Sequence, residues 1–292
     1  MRILDGGMGT ILHDRFNNHD RVLWSLKPYF DKKENIIKAH QLFLDNGADI
    51  IITNNYCATS YYLKKGKINL NLLPEIISTI GLLAKQSIKN YKNKKIFGSI
   101  PPYNESYNTK VKFSKNDINK HYYITYSNLN KYVDKFIFET VSSLNELYII
   151  LEFINKYGIN DKTYISFCVN KTGKELLDKS NLKYVIKLLN NNFIEYIFLN
   201  CSPINYIDLA IEYIHKENIN IGVYPNKHRK TLNNFELNLD FNKMDIYKDI
   251  SKEEFLNYAK KWKNKGVSII GGCCGIDEFF IKQLKTLKQS KL

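Results

Sequence analysis

Three of the five cysteines in this chain of 292 residues sit where their thiols could share one ion. Cys273 and Cys274 are adjacent within GGCCG (271–275), and Cys201 follows Asn200 in NCSP, 72 residues earlier (273 minus 201). An odd count without spaced pairs does not fit a secreted disulfide scaffold, and closely placed thiols in a reducing compartment more often bind metal or do chemistry. Zinc takes four ligands in a tetrahedron, and a catalytic zinc keeps three from protein and leaves the fourth position open. Cys201, Cys273 and Cys274 fit such a site. Adjacent cysteines reach one ion only if the backbone turns sharply around them, which Gly271, Gly272 and Gly275 permit. Taken alone, the CC pair reads better as a buried tight turn or a strained vicinal disulfide than as a metal site; the NC at a second strand end on the same rim shifts the reading to the metal. Cys57 and Cys168 lie outside this motif and read as packing residues.

Bringing residue 201 to residue 273 requires a scaffold that places distant strand ends side by side. Short apolar runs alternate with amphipathic stretches along the whole chain. The runs are RIL before Asp5, DIIIT to Thr53, KIFGSI to Ile100, KFIFE to Glu139, TYISFCV to Val169, YIFLN to Asn200, INIGVY to Tyr224 and VSIIG to Gly271. Helical periodicity covers 34–46, 70–91, 114–130, 143–157, 182–191, 204–217, 252–265 and 277–288. Eight strand–helix units in about 250–300 residues are the arithmetic of an α/β fold closed into a (β/α)8 TIM barrel, with an open doubly wound sheet as the alternative. Gly47 and Gly266 end helical runs shortly before strands, as caps do in short loops. Asp5, Thr53, Glu139, Asn200 with Cys201, and Cys273 with Cys274 all fall at strand C-terminal ends, which in a barrel share one rim. No linker divides the chain, so 1–292 reads as a single domain.

The net charge is +14, but the lysines are scattered through YKNKK, KKWKNK and LKTLKQSK rather than clustered, which makes nucleic acid an unlikely partner. No stretch approaches the roughly 18 apolar residues that span a bilayer, and Asp5 interrupts any leader-like run, so a cytoplasmic protein without a membrane partner is expected. His13, His19, His40, His121, His215 and His228 follow no metal-ligand spacing, and exposed or capping roles fit them better.

ILDGGMGT (3–10), TNNYCAT (53–59), GSIPPY (98–103), FET (138–140), NCSP (200–203), YPN (224–226) and IIGGCCG (269–275), in that order, closely resemble the homocysteine S-methyltransferase family. The resemblance implies a (β/α)8 barrel holding Zn2+ through Cys201, Cys273 and Cys274, with homocysteine sulfur in the fourth position. It further implies methyl transfer from a sulfonium donor to give methionine, a step of methionine biosynthesis. Asp5 and Glu139 match acidic positions that bind substrate, and anionic acceptors suit the homocysteine ammonium. Trp24 matches an aromatic position near the homocysteine pocket. Thr53 and Asn200 offer a hydroxyl and an amide that either fix substrate or orient the zinc loop.

The chain has no room for folate- or cobalamin-binding domains, lacks the extra length of the betaine-dependent relative, and carries no GxGxxG loop. A small sulfonium therefore remains, S-methylmethionine ahead of S-adenosylmethionine. Two loops depart from the family pattern: Pro101 replaces the usual glycine ahead of a shorter loop to Phe113, and YPN continues as KHRKTLN. The competing reading is a zinc-containing barrel with a degenerate site that binds a ligand or nucleic acid. A monomer or small homo-oligomer is expected.

Overall fold

The apolar runs become eight parallel strands: β1 (Arg2–Ile3), β2 (Ile50–Ile52), β3 (Lys95–Ile100), β4 (Lys135–Val141), β5 (Thr163–Phe167), β6 (Tyr196–Pro203), β7 (Asn220–Asn226) and β8 (Ile269–Ile270). The computed structural model describes residues 1–103, 106–227 and 250–289. Hydrogen bonding runs in the order β1-β8-β7-β6-β5-β4-β3-β2. A parallel bridge between Leu4 and Ile50 joins the two ends, with Asp5 N–H donating to Ile50 C=O at 3.0 Å and Asp49 N–H to Ile3 C=O at 2.7 Å. The sheet therefore closes as a TIM barrel; the open alternative is excluded.

Each strand points one large residue inward. Leu4, Ile50, Phe97, Ile137, Tyr164, Phe198, Tyr224 and Ile269 form a single buried cluster, one side chain from each of the eight strands or their ends. The other strand faces pack outward against the helices in the main core. Strands buried on both faces read as unbroken apolar runs, which is why they were legible in the sequence.

The helices are α1 (Met8–Phe16), α2 (Lys27–Asp31), α3 (Glu34–Asp45), α4 (Ser60–Lys65), α5 (Leu73–Ile88), α6 (Lys115–Leu129), α7 (Leu144–Tyr157), α8 (Leu182–Asn191), α9 (Ile204–Ile214), α10 (Lys252–Asn264) and α11 (Glu278–Gln289). Three of the starts, those of α6, α7 and α10, are fixed by serine caps: the hydroxyls of Ser114, Ser143 and Ser251 accept from the N–H three residues on. The expected glycine caps are present. Gly47 (φ +106°) and Gly266 (φ +89°) follow α3 and α10, where Ala48 N–H reaches Phe43 C=O and Val267 N–H reaches Trp262 C=O, each at 3.0 Å. The run expected over 70–91 divides into a 3-10 turn, Leu70–Leu72, and α5, because Pro74 suits a helix start and not its interior. α1, α2 and α4 lie outside the expected helical runs; α1 begins inside DGGMGT, where glycine is a poor helix former.

Two strands are irregular at the site's rim. Register shifts between Phe138 and Val141 in β4, and between Asn200 and Pro203 in β6. At these bulges Thr140 (φ 56°) and Cys201 (φ 44°) adopt left-handed backbone, a conformation costing non-glycine residues about 1–3 kcal/mol each. A bulge re-aims side chains next to it, and here it redirects Glu139 and Cys201 at the C-terminal ends of their strands.

Candidate active site

β6, β7 and the turn after β8 bring the three thiols together. The ligand atoms of Cys201, Cys273 and Cys274 lie within 4.8 Å of one another, and this is the metal-competent cluster among the described residues. The turn carrying the CC pair is pinned from both neighbouring strands: Gly271 N–H donates to Val223 C=O (2.9 Å), Gly272 N–H to Asp5 C=O (2.9 Å) and Cys273 N–H to Pro225 C=O (2.8 Å). Gly275 (φ +79°) closes it, its N–H held by Thr10 Oγ1 at 3.0 Å. A Cβ on Gly271 would stand 2.6 Å from both the Asp5 carbonyl and Leu4 Cβ, so backbone would have to move. Gly271→Ala is accordingly expected to lower stability by about 2 kcal/mol and to weaken metal retention, read by thermal unfolding and by zinc content after dialysis.

Cys201 and Cys273 are joined sulfur to sulfur, with Cα atoms 5.7 Å apart, while Cys274 is free. The cross-strand pair, and not the vicinal one, is thus in contact. In reduced form the donor set fits zinc: Zn–S bonds of about 2.3 Å in a tetrahedron place sulfurs about 3.8 Å apart, the scale of this cluster. Burial pushes the Cys274 thiol up to about 11, with Glu139 adding to the rise. A thiol in that setting ionises readily only beside a cation.

The thiols line one cavity together with Asp5, Thr53, Glu139 and Trp24, which six different stretches of sequence deliver to the same mouth. Asp5 Oδ2 accepts from Ile52 N–H at 2.8 Å. Glu139 accepts from the Ser99 hydroxyl and, at 3.2 Å, from the Tyr224 hydroxyl. Burial raises Glu139 to about 7 and holds Asp5 well above the usual carboxylate range, the nearby Glu139 charge adding to the rise at Asp5. In a protein of net charge +14, no Lys, Arg or His lines the cavity among the described residues. Two buried acids with no counter-ion among the described lining residues suit a cation.

The remaining expected residues divide. Trp24 (φ 45°) lies over Gly9, where a Cβ would stand 2.0 Å from its Nε1, so the indole forms a wall at the start of α1. Thr53 lines the cavity, but its hydroxyl is committed, donating to Asn55 Oδ1 (2.6 Å) and accepting from Ser99 N–H (2.9 Å). Asn200 is not among the lining residues; its Oδ1 accepts from Thr140 N–H at 3.3 Å and supports the β4 bulge. Cys168 is buried and is not among the lining residues, whereas Cys57, fully buried, forms part of the wall. His40 and His121 are buried, correcting the expectation of exposure: they sit inside helix faces that pack on the core, and burial lowers them to about 3 and about 4. Neither lines the cavity. His228 and the continuation from 228 onward lie outside the described residues.

Sequence reasoning missed the aromatic and hydroxyl shell of Ser99, Tyr56, Ser106, Tyr107 and Asn226. Asn226 Nδ2 and Tyr107 Oη both donate to the Cys201 carbonyl at 2.9 Å. Tyr56 Oη lies 2.7 Å from Thr140 Oγ1 and 2.6 Å from Ser106 Oγ. YPN offered a signal for Asn226; nothing in the loop after β3 pointed to Tyr107.

Barrel and site together define a (β/α)8 protein whose catalytic rim carries three sulfurs beside two buried acids. The sequence model of homocysteine S-methyltransferases matches residues 2–287, and the chain belongs to that family of methyltransferases. Homocysteine S-methyltransferase 1 of Zea mays is 22% identical over 93% of this chain and 89% of its own length. A selenocysteine methyltransferase of Astragalus bisulcatus is 25% identical over 93% and 88%. Among solved structures, the metallated form of the homocysteine methyltransferase MmuM from Escherichia coli has the same fold, with a TM-score of 0.81 at 21% identity over 98% of this chain and 96% of that one. No helix among the described residues is long and apolar enough to cross a membrane.

Proposed function

We propose that this chain, as one barrel domain, is a zinc-dependent homocysteine S-methyltransferase that takes a methyl group from a sulfonium, S-methylmethionine ahead of S-adenosylmethionine, and forms methionine. The observation that carries this reading is the convergence of Cys201, Cys273 and Cys274 with Asp5 and Glu139 on one cavity. Reduced, the three cysteines would hold Zn2+, which when bound supplies deprotonation of the acceptor thiol, otherwise only a few per cent ionised at neutral pH.

Asp5 and Glu139 receive the acceptor's ammonium, each carboxylate fixed by a hydrogen bond from its own scaffold. The acceptor's carboxylate meets the start of α1, where Gly7, Met8 and Gly9 line the cavity and the N-cap has no side-chain partner. Backbone N–H groups at a helix start suit an anion. The donor's positive sulfur is accommodated by a wall of Trp24, Tyr56, Tyr62 and Tyr107, with no cation among the described lining residues. Holding acceptor and donor in line is the protein's main contribution, since transfer from a sulfonium needs no base at the carbon. A selenol acceptor is a second reading, favoured by the Astragalus relative's name.

The test is a donor screen: reduced, zinc-loaded protein with homocysteine and S-methylmethionine, S-adenosylmethionine or betaine, reading methionine. Turnover with a sulfonium supports the proposal. Stoichiometric zinc with no turnover on any donor, together with salt-sensitive RNA binding, favours the degenerate-barrel alternative.

A pH dependence follows from Glu139. Only its ionised form holds an ammonium, so affinity falls as pH drops through about 7. Binding of methionine, which has the ammonium but no thiol proton, is expected to be about tenfold weaker at pH 6 than at pH 8, by calorimetric titration. A flat profile would remove Glu139 from the ammonium site.

A further inference from the structure

The loop after β3 reaches across the barrel mouth to a part of the chain 94 residues away: the Tyr107 hydroxyl donates to the Cys201 carbonyl at 2.9 Å. Tyr107 itself stands in left-handed backbone (φ 64°), a conformation that aims its ring inward and that β-branched or bulky residues adopt only when their surroundings hold them there. Two contacts supply that hold. Ser106 Oγ lies 2.6 Å from Tyr56 Oη, which is also bound to Thr140 on the β4 bulge, and Asn226 Nδ2 lies 3.3 Å from Tyr107 Oη.

The carbonyl that Tyr107 grips belongs to the residue at the β6 bulge, Cys201, whose own φ is 44°. A peptide in that region can relax toward ordinary strand geometry, and relaxation would turn the Cys201 Cβ away from Cys273 and Cys274. Asn226 from β7 and Tyr107 from the β3 loop donate to the same oxygen and lie 3.3 Å from each other, so the peptide plane is held by a linked pair of donors.

We propose that Tyr107 is a positioning residue for the three-sulfur centre: its hydroxyl locks the Cys201 peptide in the left-handed turn and so aims the Cys201 sulfur at Cys273 and Cys274. The assignment rests on the reading of those cysteines as the zinc ligands. It makes the β3 loop part of the metal centre, although none of its described residues is in the ligand cluster. Groups that orient a ligand in this way typically change metal affinity by about 10–100-fold when removed.

Tyr107→Phe keeps the ring and deletes the one oxygen. Reduced wild-type and Y107F proteins are titrated with zinc against a chromogenic chelator, and their cobalt(II) forms are compared in the thiolate-to-cobalt charge-transfer region, with Ser106→Ala as a variant that loosens the loop but leaves the Tyr107 hydroxyl. The expected result is about 10–100-fold weaker zinc binding in Y107F, with diminished charge-transfer intensity, and a smaller change in S106A. Equal zinc affinity and an unchanged cobalt spectrum in Y107F overturn the assignment, as does weakening in Tyr107→Ala alone, which would make the ring a filler. Wild-type protein that binds no metal overturns the zinc reading and this assignment together, whereas normal wild-type binding beside an unchanged Y107F overturns only the latter.

Discussion

Cys273→Ser is expected to abolish stoichiometric zinc retention and to lower kcat/KM for homocysteine by at least about 10³-fold. Two effects multiply. Without a metal the acceptor thiol is only a few per cent ionised at neutral pH, a loss of roughly 30-fold. The acceptor sulfur also loses its fixed place opposite the donor, and well-oriented reactants gain several further orders of magnitude over free ones. Serine is nearly isosteric, and Cys273 N–H bonds to Pro225 through the backbone, so the turn itself should persist. Circular dichroism should therefore remain wild-type while zinc content, measured by atomic emission after dialysis, falls below one half equivalent. Near-normal turnover in a zinc-free Cys273→Ser protein would remove the metal from the account.

Glu139→Gln should move activity and stability in opposite directions. The folded protein holds this carboxyl at about 7, against an ordinary 4.5, because it is buried. The folded state thus keeps a proton that the unfolded chain has released, so the group's contribution is fully present below pH 4.5 and is lost as pH rises through 7. Gln carries no charge to desolvate, and Ser99 and Tyr224 remain within reach of its amide. At pH 8 the variant should be more stable by on the order of 2 kcal/mol, with the gain vanishing near pH 5, read from urea unfolding at the two pH values. Loss of one charged acceptor for the ammonium should raise KM for homocysteine roughly 10–100-fold. A variant less stable than wild type at pH 8, with unchanged KM, would mean that Glu139 serves the fold and not the substrate.

What the sequence made legible is what depends on period and spacing. Strands buried on both faces announce themselves as apolar runs, and glycines such as Gly47 and Gly266 mark helix ends because only φ > 0 closes those turns. Once eight strand–helix units are counted, Asp5, Glu139, Cys201 and the CC pair must share a rim, and they do line one cavity. The bulges at Thr140 and Cys201 were hidden, since a register shift depends on the neighbouring strand and leaves no mark on local composition. Tyr107 was hidden for the same reason: its partner is 94 residues away. The lysine excess has a partly structural explanation. Lys94, Lys263 and Lys285 donate to the carbonyls of Ala48, Leu287 and Asp45, two of which fall in α11 and α3 near their C-terminal ends, where a cation is favoured by the helix dipole.

Zinc-edge X-ray absorption on reduced, zinc-loaded protein, without and with homocysteine, reads the sulfur shell directly. Three sulfur neighbours and one lighter atom are expected in the free protein, changing to four sulfurs at about 2.3 Å when homocysteine is added. A first shell that holds fewer than three sulfurs, or one that homocysteine leaves unchanged, would contradict the three-cysteine zinc site.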